Sequence, residues 1–227
     1  MNKKNGFTLA EILITLSVIG VISAVTLPMI TNSRPNQEMI MLKKAYYNAA
    51  RVVSELINDD DFYPERADNL AKSGFGNTII SDMTGGNEAK YNGKTYKGDE
   101  KFCGLFAVKL NKAKAANCKS RVALSSGGNF TSGDGMIWSM PVSNFANDEY
   151  ILVDVNGSKG NNCTLQSSFS TYGLKKCSGN KAPDQFGIKV GRFGEMEVVG
   201  DVEKEYVSST KTNRTYMQIK SCAPNCK

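Results

Sequence analysis

The chain has 227 residues, with 28 Lys and Arg against 22 Asp and Glu, a net charge of +6, and no histidine. The missing histidine removes His-dependent nucleophilic triads, His general bases and HExxH zinc sites together. No GxGxxG, P-loop or GxSxG stretch occurs either, so no enzyme is expected.

The first predicted element is apolar. From Phe7 to Ile30 the only charged residue is Glu11, and the rest is mainly Leu, Ile, Val, Ala, Ser and Thr. About 20 such residues in a helix match the roughly 30 Å hydrocarbon core of a bilayer. Thr8, Thr15, Ser17 and Ser23 are compatible with that span, because helical Ser and Thr can bond back to the main chain. Lys3 and Lys4 precede the run and no charge follows it until Arg34. The positive-inside bias then predicts a cytoplasmic N-terminus and a single pass, with the bulk of the chain outside. The run is too long for the apolar centre of an ordinary secretory signal, about 7–15 residues.

The stretch KNGFTLAEILITLSVIGVISAVTLP closely resembles the N-terminus of type IV prepilins and of type II secretion pseudopilins. The resemblance implies cleavage between Gly6 and Phe7, which makes residues 1–6 a leader peptide, and N-methylation of the new N-terminus at Phe7. It also implies that residues 7–30 are kept as a transmembrane and filament-core helix, in which Pro28 matches a proline common in the family. Glu11 becomes the fifth residue of the mature chain. A carboxylate in lipid costs at least a few kcal/mol unless it is paired. The amino group of Phe7 in a neighbouring subunit would pair it and set subunit register. The implied partners are other pilin or pseudopilin subunits, a prepilin peptidase, an inner-membrane assembly platform with its ATPase, and membrane lipid. The implied location is the bacterial inner membrane, with residues 31–227 an extracytoplasmic pilin-like globular domain ending in a pilus or pseudopilus.

Pro35 predicts a bend or helix restart. Over residues 37–58, Met39, Leu42, Tyr46, Ala49, Val53 and Leu56 step by three and four and form one apolar stripe. Lys44, Asn48, Arg51 and Glu55 follow another face. Charge and proline at 58–68 end that helix, and residues 69–134 are rich in turn formers, with one short helix expected at Phe102–Asn117. Strands are predicted at 136–142, 150–155, 185–190 and 195–200, a β-meander over 136–200 interrupted by a loop at 156–184. The tail, 201–227, could add a strand near RTYMQIK. The expected fold is α+β and pilin-like: a long N-terminal helix packed on a small antiparallel sheet, loop-rich and stapled by disulfides.

Cys103, Cys118, Cys163, Cys177, Cys222 and Cys226 all lie in the part expected outside, where an even count points to disulfides. No CxxC pair and no histidine support a metal site. Many pairings are open, and nearest-neighbour pairing is favoured. A second stretch, DVNGSKGNN followed by DQF, resembles a pattern found after a strand in pseudopilin-like proteins. Asp154, Asn156, Gly157, Gly160, Asp184 and Phe186 match, while Asn161 stands where proline is usual. A tight turn explains these residues. A calcium site on Asp154, Asn156 and Asp184 is the alternative, and calcium the only cofactor considered.

Together these features point to a structural subunit of a type II secretion pseudopilus or type IV pilus. Two alternatives stand beside it. One is a non-polymerising, membrane-anchored extracellular binding domain or adhesin. The other is a DNA-uptake pilin, for which lysines at 89–119 and 175–189 with Tyr91, Tyr96 and Phe102 could serve nucleic acid.

Overall fold

The computed structural model describes residues 8–32, 37–63, 75, 88–142, 148–179 and 181–208, with the side chains of residues 25–32 left out. Helix α1 spans Leu9–Asn32 and α2 spans Gln37–Ile57. The bend expected at Pro35, the tail strand near RTYMQIK, and Cys222 and Cys226 lie outside the described residues. Among the described residues, no helix is long and apolar enough to cross a membrane.

The two helices differ in how their apolar residues are arranged. Helix α2 is amphipathic and buries Met39, Leu42, Ala45, Ala49, Val52, Val53 and Leu56. The buried face is wider than the predicted stripe, since Ala45 and Val52 join it. Tyr46 stays half-buried and donates its hydroxyl to the Met196 carbonyl at 3.4 Å. On its other side, Arg51 meets Glu55 at 2.7 Å and Lys44 meets Asp134 at 2.9 Å.

Five strands form the main sheet: β3 (Phe130–Thr131), β4 (Ile137–Ser139), β5 (Glu149–Asp154), β6 (Gln185–Val190) and β7 (Met196–Val198). They pair antiparallel in chain order, a meander, with Ile151 opposite Ile188 and Val153 opposite Phe186. One sheet face meets α2, the third helix and an aromatic group in which Phe130 and Trp138 stack at 6.2 Å. The opposite face is also covered. Leu152, fully buried, packs there with Leu124, Phe169 and Leu174. Burial on both faces is why YILVDV is a continuous apolar run rather than an alternating one.

That second cover comes from the segment at 156–184, expected to be a loop. It carries a 3-10 turn over Ser167–Tyr172 and is closed by the disulfide Cys163–Cys177. Phe169 projects from the turn onto Gly187, where a side chain of any size would meet its ring. Glycine in the middle of β6 therefore admits the ring to the sheet.

Two local expectations are corrected, and one further helix is found. Helix α3 covers only Lys101–Lys109, not Phe102–Asn117. It ends in a Schellman motif: Lys112 N–H donates to the Ala107 carbonyl, Asn111 N–H donates to Val108, and Asn111 takes the left-handed conformation at φ 56°. Upstream, β1 (Glu88–Tyr91) and β2 (Lys94–Lys97) form a separate hairpin inside the supposed loop. Its turn is Asn92-Gly93, both at positive φ, which is the strongest short hairpin signal a sequence carries. Finally, α4 (Asp201–Ser208) follows β7, burying Tyr206 and Val207 against the main core.

The segment between α3 and β3 is tied down twice. Cys103 on α3 is bonded to Cys118, and the buried side chain of Asn129 spans the loop. Asn129 donates to the carbonyls of Asn117 and Ser120, and accepts from the amides of Val122 and Met140. Replacing Asn129 with Ala leaves these main-chain groups without partners. The expected cost is about 3 kcal/mol in urea unfolding of the detergent-solubilised chain.

Glu203 on α4 is almost fully buried, with only Gln166 Nε2 at 3.3 Å as a side-chain donor. Burial, opposed by its own backbone amide and Gln166 and reinforced by Asp201, pushes its carboxyl up to about 7. The folded state thus holds this proton more tightly than the unfolded chain does. Its contribution to stability is full below the ordinary carboxylate pKa of 4.5 and is lost as pH rises through about 7. Glu203→Gln should flatten that part of the stability–pH curve and gain up to roughly 3 kcal/mol above it. Denaturant titration across the pH series checks both.

Candidate assembly site

Helix α1 begins with Thr8 and Glu11 in a reciprocal arrangement. The Thr8 amide and hydroxyl both donate to Glu11 Oε2, at 2.8 and 2.9 Å, and the Glu11 amide donates to Thr8 Oγ1 at 3.3 Å. This is a capping box, with Thr8 at the N-cap and Glu11 three residues on. The spacing T-x-x-E was visible in the sequence, and the role of Glu11 as its own helix's cap went unnoticed there. A carboxylate in the first turn also faces the positive end of the helix dipole. The carboxylate at the start of the apolar run thus has a partner within one subunit, before any neighbour is involved.

Beyond Glu11, the described part of α1 is apolar on every side. Leu9, Ile12, Leu13, Ile14, Leu16 and Val18 are all about half or more exposed, and Ile19, Val21 and Ile22 continue the pattern. The polar residues within it do not break the surface. Thr15 donates to the Ile12 carbonyl at 2.9 Å and Ser17 donates to Leu13 at 2.8 Å, so both hydroxyls are satisfied along the helix. A helix apolar all round belongs inside a bundle or a bilayer, and among the described residues the globular part covers none of these faces. Gly6 and Phe7 lie outside the described residues. Pro28 falls within α1, and its side chain is not among those described.

Residues 1–27 match the prokaryotic N-terminal methylation motif, the signature of type IV pilins and pseudopilins. Comparison with curated proteins and with solved structures returns no match for this chain. The motif supports a pilin-like structural subunit that is processed by a prepilin peptidase and assembles with other such subunits. The α+β architecture above is consistent with a pilin-like fold.

The second constellation is brought together at the end of β5. Asp184, fully buried, accepts the amides of Cys163 and Asn162 at 2.8 Å each and the Asn156 side chain at 3.3 Å. It is a clamp that closes the 156–184 segment. Gly160, at φ 92°, passes so close to Asn156 and Asp184 that a side chain would displace them. Asp154 accepts from Gln185 Nε2 at 3.0 Å, and burial raises its carboxyl to about 6. Phe186 is buried in the core, opposite Val153.

These residues leave few side-chain oxygens free for a calcium ion. Both oxygens of Asp184 already accept N–H donors. Only Asp154 Oδ1 and Asn156 Oδ1 remain without partners, against the six to eight oxygens calcium takes. No cluster of three or more acidic, cysteine or histidine side chains able to hold a metal occurs among the described residues. The expected result is therefore a melting temperature that does not move with added calcium or chelator. Asp184→Ala, which leaves the Asn162 and Cys163 amides unpaired, should lower it by several degrees in either condition. Differential scanning calorimetry measures both.

Proposed function

We propose that this chain is a filament-forming subunit of a type IV pilus or type II secretion pseudopilus. It is cut between Gly6 and Phe7, methylated at Phe7, and held before assembly in the inner membrane by a helix over residues 7–30. The observation that carries this reading is the α1 surface, apolar on all sides and unused by the rest of the described chain. In lipid the bilayer covers that surface, and in a filament the equivalent helices of neighbouring subunits cover it. Extraction from one to the other exchanges one apolar environment for another, so directionality must come from specific contacts.

Glu11 supplies such a contact. In the subunit alone its carboxylate is satisfied by Thr8. In the filament, the methylated amino group of Phe7 on a neighbour offers a full positive charge in a low-dielectric bundle, where a correct pair is strong and a mispaired charge is costly. The disulfide-stapled domain of residues 31–227 lies outside the membrane and forms the outer layer of the filament, its two described disulfides suited to an oxidising compartment.

Two measurements test this. Mass spectrometry of the native protein should find an N-terminal peptide beginning at methylated Phe7. A chain beginning at Met1 or Asn2 throughout would replace the subunit by a membrane-anchored binding domain. Abundance of the peptide in sheared surface material marks a pilus, and restriction to membranes marks a pseudopilus. Glu11→Ala should still be cut and methylated, yet its incorporation into filaments should fall roughly tenfold or more. Normal incorporation would remove the pairing role.

A further inference from the structure

The β1–β2 hairpin, the start of α3 and the loop after α3 enclose a cleft of about 470 Å³. Lys94 and Lys97 line it from the hairpin, Lys112 and Lys119 from the loop, with Asp99 and Glu100 as the acidic members. Scattered lysines are usually just a solvated surface. Here three features set these apart.

First, the main chain that carries two of these lysines is fixed. Lys112 sits at the Schellman turn that ends α3 and bridges to Ser132 of the sheet region. Lys119 directly follows Cys118, which is bonded to α3 through Cys103, and the same loop is clamped by Asn129. Second, three of the four lysines, Lys94, Lys112 and Lys119, have no ion-pair partner among the described residues, and Lys97 has only Glu88, at 3.9 Å. Lys112 is partly desolvated and repelled by Lys94, and both effects lower its pKa. An anion between them would relieve that repulsion. Third, the floor is shaped by an aromatic ring. Tyr96 is buried at 7 % exposure and lies against Gly104, where any side chain would collide with the ring.

We propose that this cleft binds a phosphorylated saccharide. The volume suits a small polar molecule of one or two sugar rings. All four cations are lysines, compact point charges suited to phosphate oxygens, and no arginine fork lines the cleft for a planar carboxylate. Asp99, Glu100 and the exposed Thr95 supply hydroxyl-binding groups beside the charges. Nucleic acid fits less well, because its single-stranded recognition needs exposed aromatic faces and the Tyr96 ring is packed against Gly104. The phosphorylated sugar can be free or part of an envelope polymer, since both offer the same group.

The test uses the full chain in a neutral detergent and isothermal titration with four probes: glucose phosphate, glucose, inorganic phosphate and a short oligothymidylate. A phosphate-bearing wall polymer, titrated separately, distinguishes the polymeric source from the free sugar. Glucose phosphate, or the polymer, should bind saturably and at least about tenfold more tightly than glucose or inorganic phosphate. Lys94→Gln with Lys112→Gln should weaken it about tenfold or more while leaving the circular dichroism spectrum unchanged. In the absence of ligand the same double variant should melt no lower than the parent, because it removes a repulsion. Equal binding of inorganic phosphate, tighter binding of the oligothymidylate, binding unaffected by the two substitutions, or no binding of any probe would each overturn the proposal.

Discussion

The molecule is organised around a helix that the rest of the described residues leave uncovered. An apolar surface in water is unfavourable by roughly 25 cal/mol per Å². Along α1 it is presented on every face, from Leu9 at 78 % exposure onward. Such a helix has two resting places, lipid or a bundle of its own kind. The remainder of the chain is built so that this helix stays available. Helix α2 takes up the amphipathic role, burying seven residues against the sheet and α3, and leaves α1 out of the core.

The globular part achieves its stability by covering one short sheet twice. On the inner face the apolar side of α2 meets Trp138, Phe130, Ile151 and Val153. On the outer face the segment between β5 and β6 folds back, with Phe169 set into the space above Gly187. A five-stranded sheet whose edge strands are two or three residues long has little hydrogen-bonded ladder of its own. Disulfides at Cys103–Cys118 and Cys163–Cys177 close the two loop-rich regions on either side of it. Each closes a loop of about 15 residues, worth roughly 3 kcal/mol in the chain-entropy description.

Buried polar groups do the fine positioning. Asn129 meets two carbonyls and two amides, and Asp184 meets two amides and one side-chain amide. Both sit where the chain must reverse without regular structure, and both use a side chain in place of a missing ladder partner. At the DxNG corner these bonds close the loop. The lysine-lined cleft is bordered by a loop with a different clamp, Asn129 with the Cys103–Cys118 bond. The residues of the exposed α1 surface and those lining the cleft are different ones.

What the sequence determined by itself were the elements whose signal is local. The apolar run with its Lys-Gly-Phe-Glu lead-in, the three-four periodicity of α2, and the β5 and β6 runs were legible because each depends on neighbours within one helix turn or one strand. The Asn92-Gly93 hairpin and the Thr8–Glu11 capping box were equally local and were overlooked. Other features required the tertiary structure. Alanine and lysine along 111–117 favour a helix, but Asn111 ends it because the next residues pair with the sheet at Ser132 and Thr131. The segment 156–184 carries turn formers throughout, and only the vacancy above Gly187 makes it the second layer of the core. Burial of Glu203, pairing of the described cysteines, and the convergence of Lys94, Lys112 and Lys119 likewise come from contacts between residues far apart in the chain. Pattern cannot register them, since a side chain's burial is set by what packs against it rather than by its sequence neighbours.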